Sequence, residues 1–515
     1  MQLIQGLNRA VTTNANGTAT IFRDRRFTWA QVADRIARIA GGLARLGLAG
    51  GDRIALMALN SDRYWEAMYA IPGLGAIMVP LNTRLAPPEV AFMLGDSGAR
   101  ALIVDDTFAA VPAQLAGQMG DVVHIIHIGE AATPAGMIPW ESLLAERPPG
   151  FGDAGDNDVA GIFYTGGTTG RSKGVMLTHR NLVANAAMVI PAWDYRGDTV
   201  YIHSGPMFHL ADAASTFAIT IVAGTHVFIP RFDPTDLLAE IQRNKVTNCL
   251  LVPTMANAAA NHPDIAKYDI SSLRLIPYGA SPMPDAVLQK AKQTMPGVRL
   301  LHVYGMTEAS PIVTSMDRNL PEPDGKRAQS CGRPAMLVDV RIADANDNEV
   351  PRGTVGEVQV RGPNIMLGYW NLPDVSAAAL RDGWYHSGDG GMMDEDGYVY
   401  IVDRFKDMII SGGENIYSAE VESAISTLDG VAEVAVIGIP DDKWGEAVHA
   451  IVVPRANSNI TPDAVIAHCR TLIAGYKIPR SVDIRAESLP LSGAGKVLKT
   501  ALREPFWKGR TKQVS

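Results

Sequence analysis

Cysteine is scarce in this chain: its 515 residues include three, Cys249, Cys331 and Cys469. They are far apart in the sequence, and none lies in a glycine-rich or histidine-rich segment. We therefore predict neither a disulfide framework nor a zinc site, and we expect each thiol to be buried rather than nucleophilic. This cysteine usage fits a reducing environment, so a cytoplasmic location is expected.

Long apolar runs are also missing. The longest candidate, Ala213–Gly224, is too short to span a bilayer and is flanked by Asp212 and His226. Residues Met1–Thr13 lack a basic stretch followed by an apolar segment, so no signal peptide is predicted. We expect a soluble protein with no transmembrane segment, and peripheral membrane contact through the basic tail is a minor alternative.

An excess of positive charge is absent as well. The net charge is -8, which argues against nucleic acid as a main partner. The chain is 47% hydrophobic and 19% charged, as is usual for globular enzymes. Its length exceeds what one hydrophobic core supports, so two or more domains are predicted.

Strand-like and helix-like segments alternate through the first two thirds of the chain. This alternation predicts an α/β fold with parallel sheets and right-handed crossovers. Within it we predict strands at Val159–Phe163 and Asn248–Val252, helices at Val175–Met188 and Pro234–Asn244, and an irregular connector over residues 120–158. From about Val338 onward, short β segments predict a small β-rich subdomain, and a compact α/β unit follows it.

A glycine-rich segment, Tyr164–Gly174, lies directly after a predicted strand. Its glycines let the backbone approach a ligand closely, and its hydroxyls, amides and lysine ammonium suit phosphate. It does not fit the Walker A pattern, because Ser172 precedes Lys173 and a glycine follows it. The predicted phosphate-binding residues are Thr165, Gly166, Gly167, Thr168, Thr169, Gly170 and Lys173.

Two further segments follow predicted strands, a turn at 279–281 (Gly-Ala-Ser) and residues 304–308 (Tyr-Gly-Met-Thr-Glu). Ligands in α/β folds collect at the carboxyl ends of strands, so both segments should converge with the glycine-rich loop. The ring of Tyr304 could stack on a base, the Thr307 hydroxyl could contact a phosphate, and the Glu308 carboxylate could bind Mg²⁺.

Two more motifs lie toward the C-terminus. Residues 384–389 (Trp-Tyr-His-Ser-Gly-Asp) end in a carboxylate that could accept hydrogen bonds from both hydroxyls of a sugar. Residues 492–496 (Ser-Gly-Ala-Gly-Lys) place Lys496 beside a glycine-flanked tip, where its ammonium could neutralise developing negative charge. Either motif alone would more often be solvated surface.

Taken together and in order, these motifs resemble the signatures of the adenylate-forming (ANL) superfamily, which includes acyl-CoA synthetases, aryl-CoA ligases and luciferases. The resemblance extends from residues 27–29 (Phe-Thr-Trp) to Lys496. The sequence departs from the usual pattern at Gly166, where the family has Ser or Thr, and at Ser387, where Thr is more common. The resemblance implies an N-terminal adenylation domain at 1–404 and a mobile C-terminal α+β domain at 405–515 that carries the catalytic lysine.

The resemblance also implies roles for individual residues. The implied catalytic residues are Lys496, Thr307 and Glu308, and the implied metal ligands are Glu308 and Thr169. ATP and AMP would be bound by the phosphate loop together with Gly279, Ala280, Ser281, Tyr304, Gly305, Thr307, Asp389 and Arg404. Lys406 corresponds to the hinge, and the implied CoA-binding residues are Gly412, Gly413, Trp444, Tyr476 and Arg480. His209, Asp212 and Ser310 would line the acid pocket and thiol tunnel, although Asp212 could instead cap a helix.

The reaction implied is that of an AMP-forming acyl-CoA synthetase using ATP, Mg²⁺ and coenzyme A. The candidate pocket segments carry no arginine or lysine, which favours a monocarboxylic acid. A medium- or long-chain fatty acid is the favoured expectation. An aryl or arylpropenoic acid of the coumarate or ferulate type, a carrier-protein thiol as acceptor, a nucleotide-binding sensor and a homodimeric state all remain open alternatives.

Overall fold

The structure is a computed structural model that describes residues 1–145, 151–152, 154–165, 172–280, 283, 285–317, 327, 329–404, 407–411, 414–441, 444–491 and 497–508. The chain forms two compact units. Unit 1 comprises residues 1–280, 290–340 and 360–385, and unit 2 comprises residues 281–289, 341–359 and 386–515. The predicted boundary at 404/405 concerns domain movement and stays a prediction.

The strands of the described residues are β1 (Thr18–Phe22), β2 (Arg25–Thr28), β3 (Arg53–Met57), β4 (Ile77–Pro80), β5 (Ala99–Val104), β6 (His124–His127), β7 (Ile138–Pro139), β8 (Val159–Thr165), β9 (Lys173–Thr178), β10 (Val200–His203), β11 (Thr225–Phe228), β12 (Leu275–Tyr278), β13 (Arg299–Gly305), β14 (Ile312–Ser315), β15 (Arg333–Pro334), β16 (Asp339–Ala343), β17 (Gly356–Arg361), β18 (Gly368–Tyr369), β19 (Tyr385–Met393), β20 (Val399–Arg404), β21 (Ile409–Ser411), β22 (Glu414–Ile416), β23 (Val431–Asp441), β24 (Gly445–Pro454) and β25 (Ser481–Ile484).

The helices are α1 (Leu3–Asn14), α2 (Trp29–Arg45), α3 (Asp62–Gly73), α4 (Pro87–Ser97), α5 (Val111–Gln114), α6 (His179–Ala192), α7 (Leu210–Ile221), α8 (Pro234–Asn244), α9 (Pro253–Ala260), α10 (Asp285–Thr294), α11 (Pro373–Ala379), α12 (Ser418–Ser426), α13 (Pro462–Arg470) and α14 (Lys499–Trp507). None of the helices in these described ranges is long and apolar enough to cross a membrane.

Unit 1 contains an eight-stranded sheet in the order β18-β9-β8-β4-β3-β5-β6-β7. Strands β3 to β8 run parallel, whereas β9 is antiparallel to both β8 and β18. Apolar residues of β3, β4 and β5 pack with Val90, Met93 and Leu94 of α4 in one buried cluster. Residues buried on a parallel sheet need such helical cover, which explains their continuous apolar runs.

A second sheet of unit 1 has the order β2-β1-β11-β10, and a third sheet has the order β12-β13-β14-β15. Single bridges at Asn248 join the two sheets. Strands β10, β11 and β1 are parallel neighbours, as are β12 and β13. The carboxyl ends of β12 and β13 lead into the predicted turn at 279–281 and the predicted segment 304–308. The topology therefore places these two segments on one edge of one sheet.

Unit 2 holds most of the four-stranded sheet β16-β17-β19-β20 and all of a five-stranded sheet. The latter has the order β22-β21-β24-β23, with β25 also paired to β24. Helices α12 and α13 contribute Val421, Ile425 and Val465 to a buried cluster with β24, and α14 contributes Leu502 to another cluster with β23 and β24.

Three secondary-structure predictions are wrong. The segment predicted as a helix from Val175 begins instead as β9 and becomes helical only at His179. The predicted connector over 120–158 contains β6 and β7, which extend the large sheet. The predicted strand at Asn248–Val252 makes only isolated bridges at Asn248 and Leu251.

Candidate functional site

The ends of the predicted phosphate loop are held by a two-stranded pairing. Thr165, the last residue of β8, pairs with Lys173, the first residue of β9. Residues 166–171 between them lie outside the described part of the chain, so the predictions for Gly166, Gly167, Thr168, Thr169 and Gly170 are not addressed by the structure. The flanking residue Tyr164 donates a hydrogen bond to Asp96 at 2.6 Å, which fixes the loop entrance against α4.

The segment predicted to bind adenine, phosphate and metal is a tight turn after β13. Residues Thr307–Ala309 form a short 3₁₀ helix. Gly305 is required there, because a Cβ at this position would overlap the carbonyl of Pro311. Tyr304, Thr307 and Glu308 are all partly buried, so their side chains keep access to a ligand.

The buried side-chain amide of Asn364 holds this turn in place. The Asn364 Nδ2 group donates to the carbonyls of Ala309 at 2.8 Å and Ile312 at 3.0 Å. In return, the Ser310 hydroxyl donates to the Asn364 carbonyl at 2.7 Å. Ser310 itself is buried and has φ 67°, so its side chain is engaged within the turn. The prediction that Ser310 contacts the acid stays untested.

The Glu308 carboxylate has one partner among the described side chains. Its Oε1 atom accepts a hydrogen bond from the Tyr369 hydroxyl at 3.0 Å. The second oxygen, Oε2, accepts none from the described residues. A carboxylate with one oxygen uncommitted offers the hard oxygen ligand that Mg²⁺ prefers, so Glu308 fits the predicted metal-binding role. The other predicted metal ligand, Thr169, lies outside the described residues.

The turn after β12 approaches β13 closely. A Cβ on Gly279 would overlap the carbonyl of Val303, and Ala280 has φ 68°. Before this turn, the ring of Tyr278 stacks on His302 with centroids 5.0 Å apart. Burial lowers the pKa of His302, so this imidazole is neutral near pH 7. Ser281, the third predicted residue of the turn, is outside the described residues.

The predicted ribose-binding carboxylate, Asp389, belongs to unit 2. The turn before it is fixed by Glu357, whose Oε1 accepts from the Gly388 amide at 3.0 Å and whose Oε2 lies 2.8 Å from His386 Nδ1. The Asp389 amide donates to the Ser387 hydroxyl at 3.0 Å. Asp389 pairs across the sheet with Arg404, so the two predicted ribose contacts are neighbours in backbone register; the Arg404 side chain is not described.

Asp347, Glu357 and His386 bring three potential metal ligands together in unit 2. The amide nitrogen of Gln359 donates to Asp347 Oδ1 at 2.7 Å and also lies 3.2 Å from Glu357 Oε2 and 3.1 Å from His386 Nδ1. Arg341 donates to the Gln359 carbonyl oxygen at 2.8 Å, which fixes the amide in that orientation. These contacts join the three side chains and Gln359 into one polar network that supports the Asp389 turn.

Two of the predicted CoA-binding residues lie together on unit 2. The Arg480 guanidinium carbon is 4.9 Å from the centroid of the Trp444 ring, a cation–π contact. Tyr476 is exposed, and the neighbouring Lys477 pairs with Glu420 at 2.6 Å. The remaining predictions in this part of the chain, Lys406, Gly412, Gly413 and Lys496, lie outside the described residues.

Residues 203–209 of unit 1 lead into α7 and carry His209, which is the N-cap of that helix. The Asn60 side chain holds this segment by donating to the carbonyls of His203 and Gly205 and accepting from the Met207 amide. The suggestion that Asp212 is the N-cap is wrong, because it lies in the first turn of α7. Its carboxylate is buried, and its role toward a substrate stays a prediction.

Sequence reasoning missed Tyr369, Asn364 and Asn60. Tyr369 reaches Glu308 across 61 positions of sequence, and Asn60 reaches Met207 across 147. Such pairs have no local sequence motif, because they form only when segments far apart in the sequence become neighbours in the fold. The one available signal was the polar Asn364 within a largely apolar stretch.

Two family models match the sequence. The model described as AMP-binding enzyme matches residues 7–370, and the model described as AMP-binding enzyme C-terminal domain matches residues 420–496. The first match alone spans well over half of the chain.

Individual proteins match over nearly the full length. Feruloyl-CoA synthase of an Amycolatopsis species is 40% identical over 500 residues, which are 97% of this chain and 98% of the relative. The long-chain-fatty-acid–CoA ligase FadD13 of Mycobacterium tuberculosis is 37% identical over 495 residues, 94% of each chain. The crystal structure of the anthranilate CoA ligase AuaEII in complex with anthranoyl-AMP has a TM-score of 0.90 at 27% identity, and the match covers 98% of this chain and 97% of that one. This similarity confirms the predicted fold class.

Proposed function

This chain belongs to the AMP-binding family of adenylate-forming enzymes, and from that premise we propose that its acid substrate is an arylpropenoic acid of the coumarate and ferulate class. The supporting observation is sequence identity. The chain is 40% identical to feruloyl-CoA synthase over 97% of its length, and 37% identical to the long-chain fatty-acid ligase over 94% of its length. The fatty-acid expectation is thus not confirmed, and the aryl alternative takes its place as the main proposal.

The predicted enzyme class is confirmed by the family. The chain is an AMP-forming acid–thiol ligase that uses a carboxylic acid, ATP and coenzyme A. In the first half-reaction the carboxylate attacks the α-phosphate of ATP and displaces pyrophosphate, giving an acyl-adenylate. In the second, the CoA thiolate attacks the acyl carbon and AMP leaves.

Within unit 1 we assign the first half-reaction to the residues around the β13 turn. Tyr304 would stack on the adenine, and Lys173 would bind the phosphates from the start of β9. Mg²⁺ held by Glu308 would supply positive charge to the same phosphates. Asp389 and Arg404 of unit 2 would bind the ribose, and Lys496 would neutralise charge at the α-phosphate.

The described segments of the candidate acid pocket are uncharged apart from Asp212. They comprise residues 209–213, 278–280, 303–305 and 309–313, none of which is Lys or Arg. The Asp212 carboxylate is bound by His203 and Tyr201 inside the fold. A pocket without cations disfavours a second carboxylate on the substrate, which supports a monocarboxylic acid.

The test is a substrate panel assayed for AMP formation with ATP and CoA. The panel contains ferulate, 4-coumarate, benzoate, octanoate, palmitate and malonate. We expect kcat/KM for ferulate or coumarate to exceed that for octanoate by at least tenfold. A preference of at least tenfold in kcat/KM for octanoate or palmitate would instead support the fatty-acid alternative.

Lys496→Ala is the matched catalytic control. It should suppress ATP–pyrophosphate exchange by several orders of magnitude while leaving ATP binding measurable. Another lysine of the same unit, Lys508, provides the comparison, and Lys508→Ala should keep exchange within twofold of the parent. Full exchange in Lys496→Ala would overturn the assignment of this lysine.

A further inference from the structure

One tyrosine side chain in unit 1 contacts two side chains of opposite charge. The ammonium of Lys173 lies 4.4 Å from the centroid of the Tyr369 ring. At the other end of the same side chain, the hydroxyl donates to Glu308 Oε1 at 3.0 Å. Tyr369 therefore contacts both the phosphate-loop lysine and the carboxylate of the β13 turn.

The backbone fixes Tyr369 in this place from both sides. In the β18–β9 pairing, Tyr369 lies opposite Val175, two residues after Lys173. The Trp370 amide donates to the Gly174 carbonyl at 2.7 Å. On the other side, the Met366 amide donates to the carbonyl of Glu308 at 2.9 Å. The short strand thus connects the loop that carries the cation with the turn that carries the anion.

Without the ring, Lys173 and Glu308 would be free to form a direct ion pair. A lysine side chain is long and flexible, and its ammonium pairs readily with a nearby carboxylate. Such a pair would occupy both groups and would have to be broken before either could bind ligand. An aromatic face attracts the ammonium without neutralising it.

We propose that Tyr369 is a positioning residue that keeps Lys173 and Glu308 apart and orients the Glu308 carboxylate for the divalent cation that accompanies ATP. The inference rests on the proposed roles of those two residues. It assigns the phenol two separable tasks, because the ring holds the lysine whereas the hydroxyl holds the carboxylate.

The separation of tasks gives a direct test. Binding of Mn²⁺, used as a probe for Mg²⁺, is followed by electron paramagnetic resonance with a non-hydrolysable ATP analogue present. Tyr369→Phe removes only the hydroxyl, so we expect Mn²⁺ affinity to fall about tenfold, as for the loss of one hydrogen bond to a charged group. Affinity for the metal-free analogue should stay within twofold, because the ring still holds Lys173. Tyr369→Leu removes the ring too and should weaken binding of the metal-free analogue as well.

Tyr400→Phe is the matched control. Its hydroxyl also donates to a carboxylate, Asp394, at 3.0 Å, but in unit 2. It should leave Mn²⁺ affinity within twofold of the parent. Circular dichroism and the melting temperature verify that each variant is folded, which is expected for Tyr369→Phe because the ring remains buried.

Glu308→Gln separates a failure of the positioning role of Tyr369 from a failure of the metal-binding role of Glu308. If Glu308→Gln loses Mn²⁺ binding and Tyr369→Phe does not, Tyr369 is not a positioning residue and the inference is overturned. If Glu308→Gln also retains Mn²⁺ binding, Glu308 is not a metal ligand and the premise itself fails. Loss in both, with the Tyr400→Phe control unaffected, supports the inference.

Discussion

His203 Nδ1 lies 2.6 Å from Asp212 Oδ2, and both side chains are fully buried in unit 1. Asp212 Oδ1 accepts a further hydrogen bond from the Tyr201 hydroxyl at 3.1 Å. The second nitrogen of His203 lies 3.0 Å from His226 Nδ1, so the network continues into β11. Burial and the neighbouring His203 hold the pKa of His226 well below its usual value. The network ties β10, β11 and α7 together.

Asp212→Asn should destabilise the protein by about 2 kcal/mol, because both carboxylate oxygens of Asp212 have polar partners inside the fold and the amide offers only one acceptor oxygen in their place. Urea denaturation followed by tryptophan fluorescence measures the change. Asp269→Asn is the control: its partner Lys245 is at 2.7 Å, but both side chains are exposed, so this substitution should leave the free energy of unfolding nearly unchanged. Equal effects in the two variants would contradict a special role for the buried network.

Glu357→Gln should raise KM for ATP about fivefold and leave KM for the acid unchanged. The substitution weakens the charge-assisted hydrogen bonds to the Gly388 amide and His386 that fix the Asp389 turn. Initial-rate kinetics with each substrate varied in turn separate the two constants. Glu349→Gln, an exposed glutamate of the same unit, should change neither. A proportional rise in both KM values would point to general unfolding of unit 2 instead.

Arg480→Ala should raise KM for CoA about tenfold, as expected for loss of an arginine contact to phosphate. ATP–pyrophosphate exchange should be unaffected, since CoA takes no part in the first half-reaction. Arg485→Ala, which removes an arginine paired with the exposed Glu487 in the same unit, serves as control. Reduced exchange in Arg480→Ala would place this residue in adenylation rather than in CoA binding.

His179 should make the protein acid-sensitive. Burial lowers its pKa to about 4, and its Nδ1 accepts a hydrogen bond from the Leu3 amide. Between the unfolded pKa near 6.5 and the folded pKa, the unfolded chain binds more protons, so stability is lost as pH falls through this window. At pH 5 the loss relative to pH 8 is about 2 kcal/mol from this residue.

His179→Gln tests that account. It retains a hydrogen-bond acceptor but cannot titrate, so the difference in unfolding free energy between pH 8 and pH 5 should shrink by about 2 kcal/mol. His262→Gln, at a partly buried histidine of the same unit, is the control. An unchanged pH dependence in His179→Gln would show that other groups cause the acid sensitivity.

The sequence predicted those elements whose signals are local. Helix α8 begins and ends where predicted, because Asp233 caps it, Pro234 fits its first position and Lys245 leaves it with φ 51°. Strand β9 was mistaken for a helix because a short apolar run has no decisive period, and only pairing with β8 and β18 makes it a strand.

In the candidate site, too, residues with a local sequence signal were predictable, whereas residues placed by distant pairing were not. The Tyr304–Glu308 segment was predictable, since its residue types and its place after a strand carry the signal together. Tyr369 was not, because its contact with Glu308 depends on β18 lying beside β9 in the large sheet. The acid preference was equally unpredictable from motifs, since the motifs describe the nucleotide and not the acid.

A competition assay tests the proposed preference for an arylpropenoic acid. Equimolar ferulate and octanoate are incubated with the enzyme, ATP, Mg²⁺ and CoA, and the two thioesters are quantified by mass spectrometry at low conversion. The product ratio equals the ratio of the two kcat/KM values. We expect feruloyl-CoA to exceed octanoyl-CoA by at least ten to one, and an excess of octanoyl-CoA would overturn the proposal of an arylpropenoic substrate.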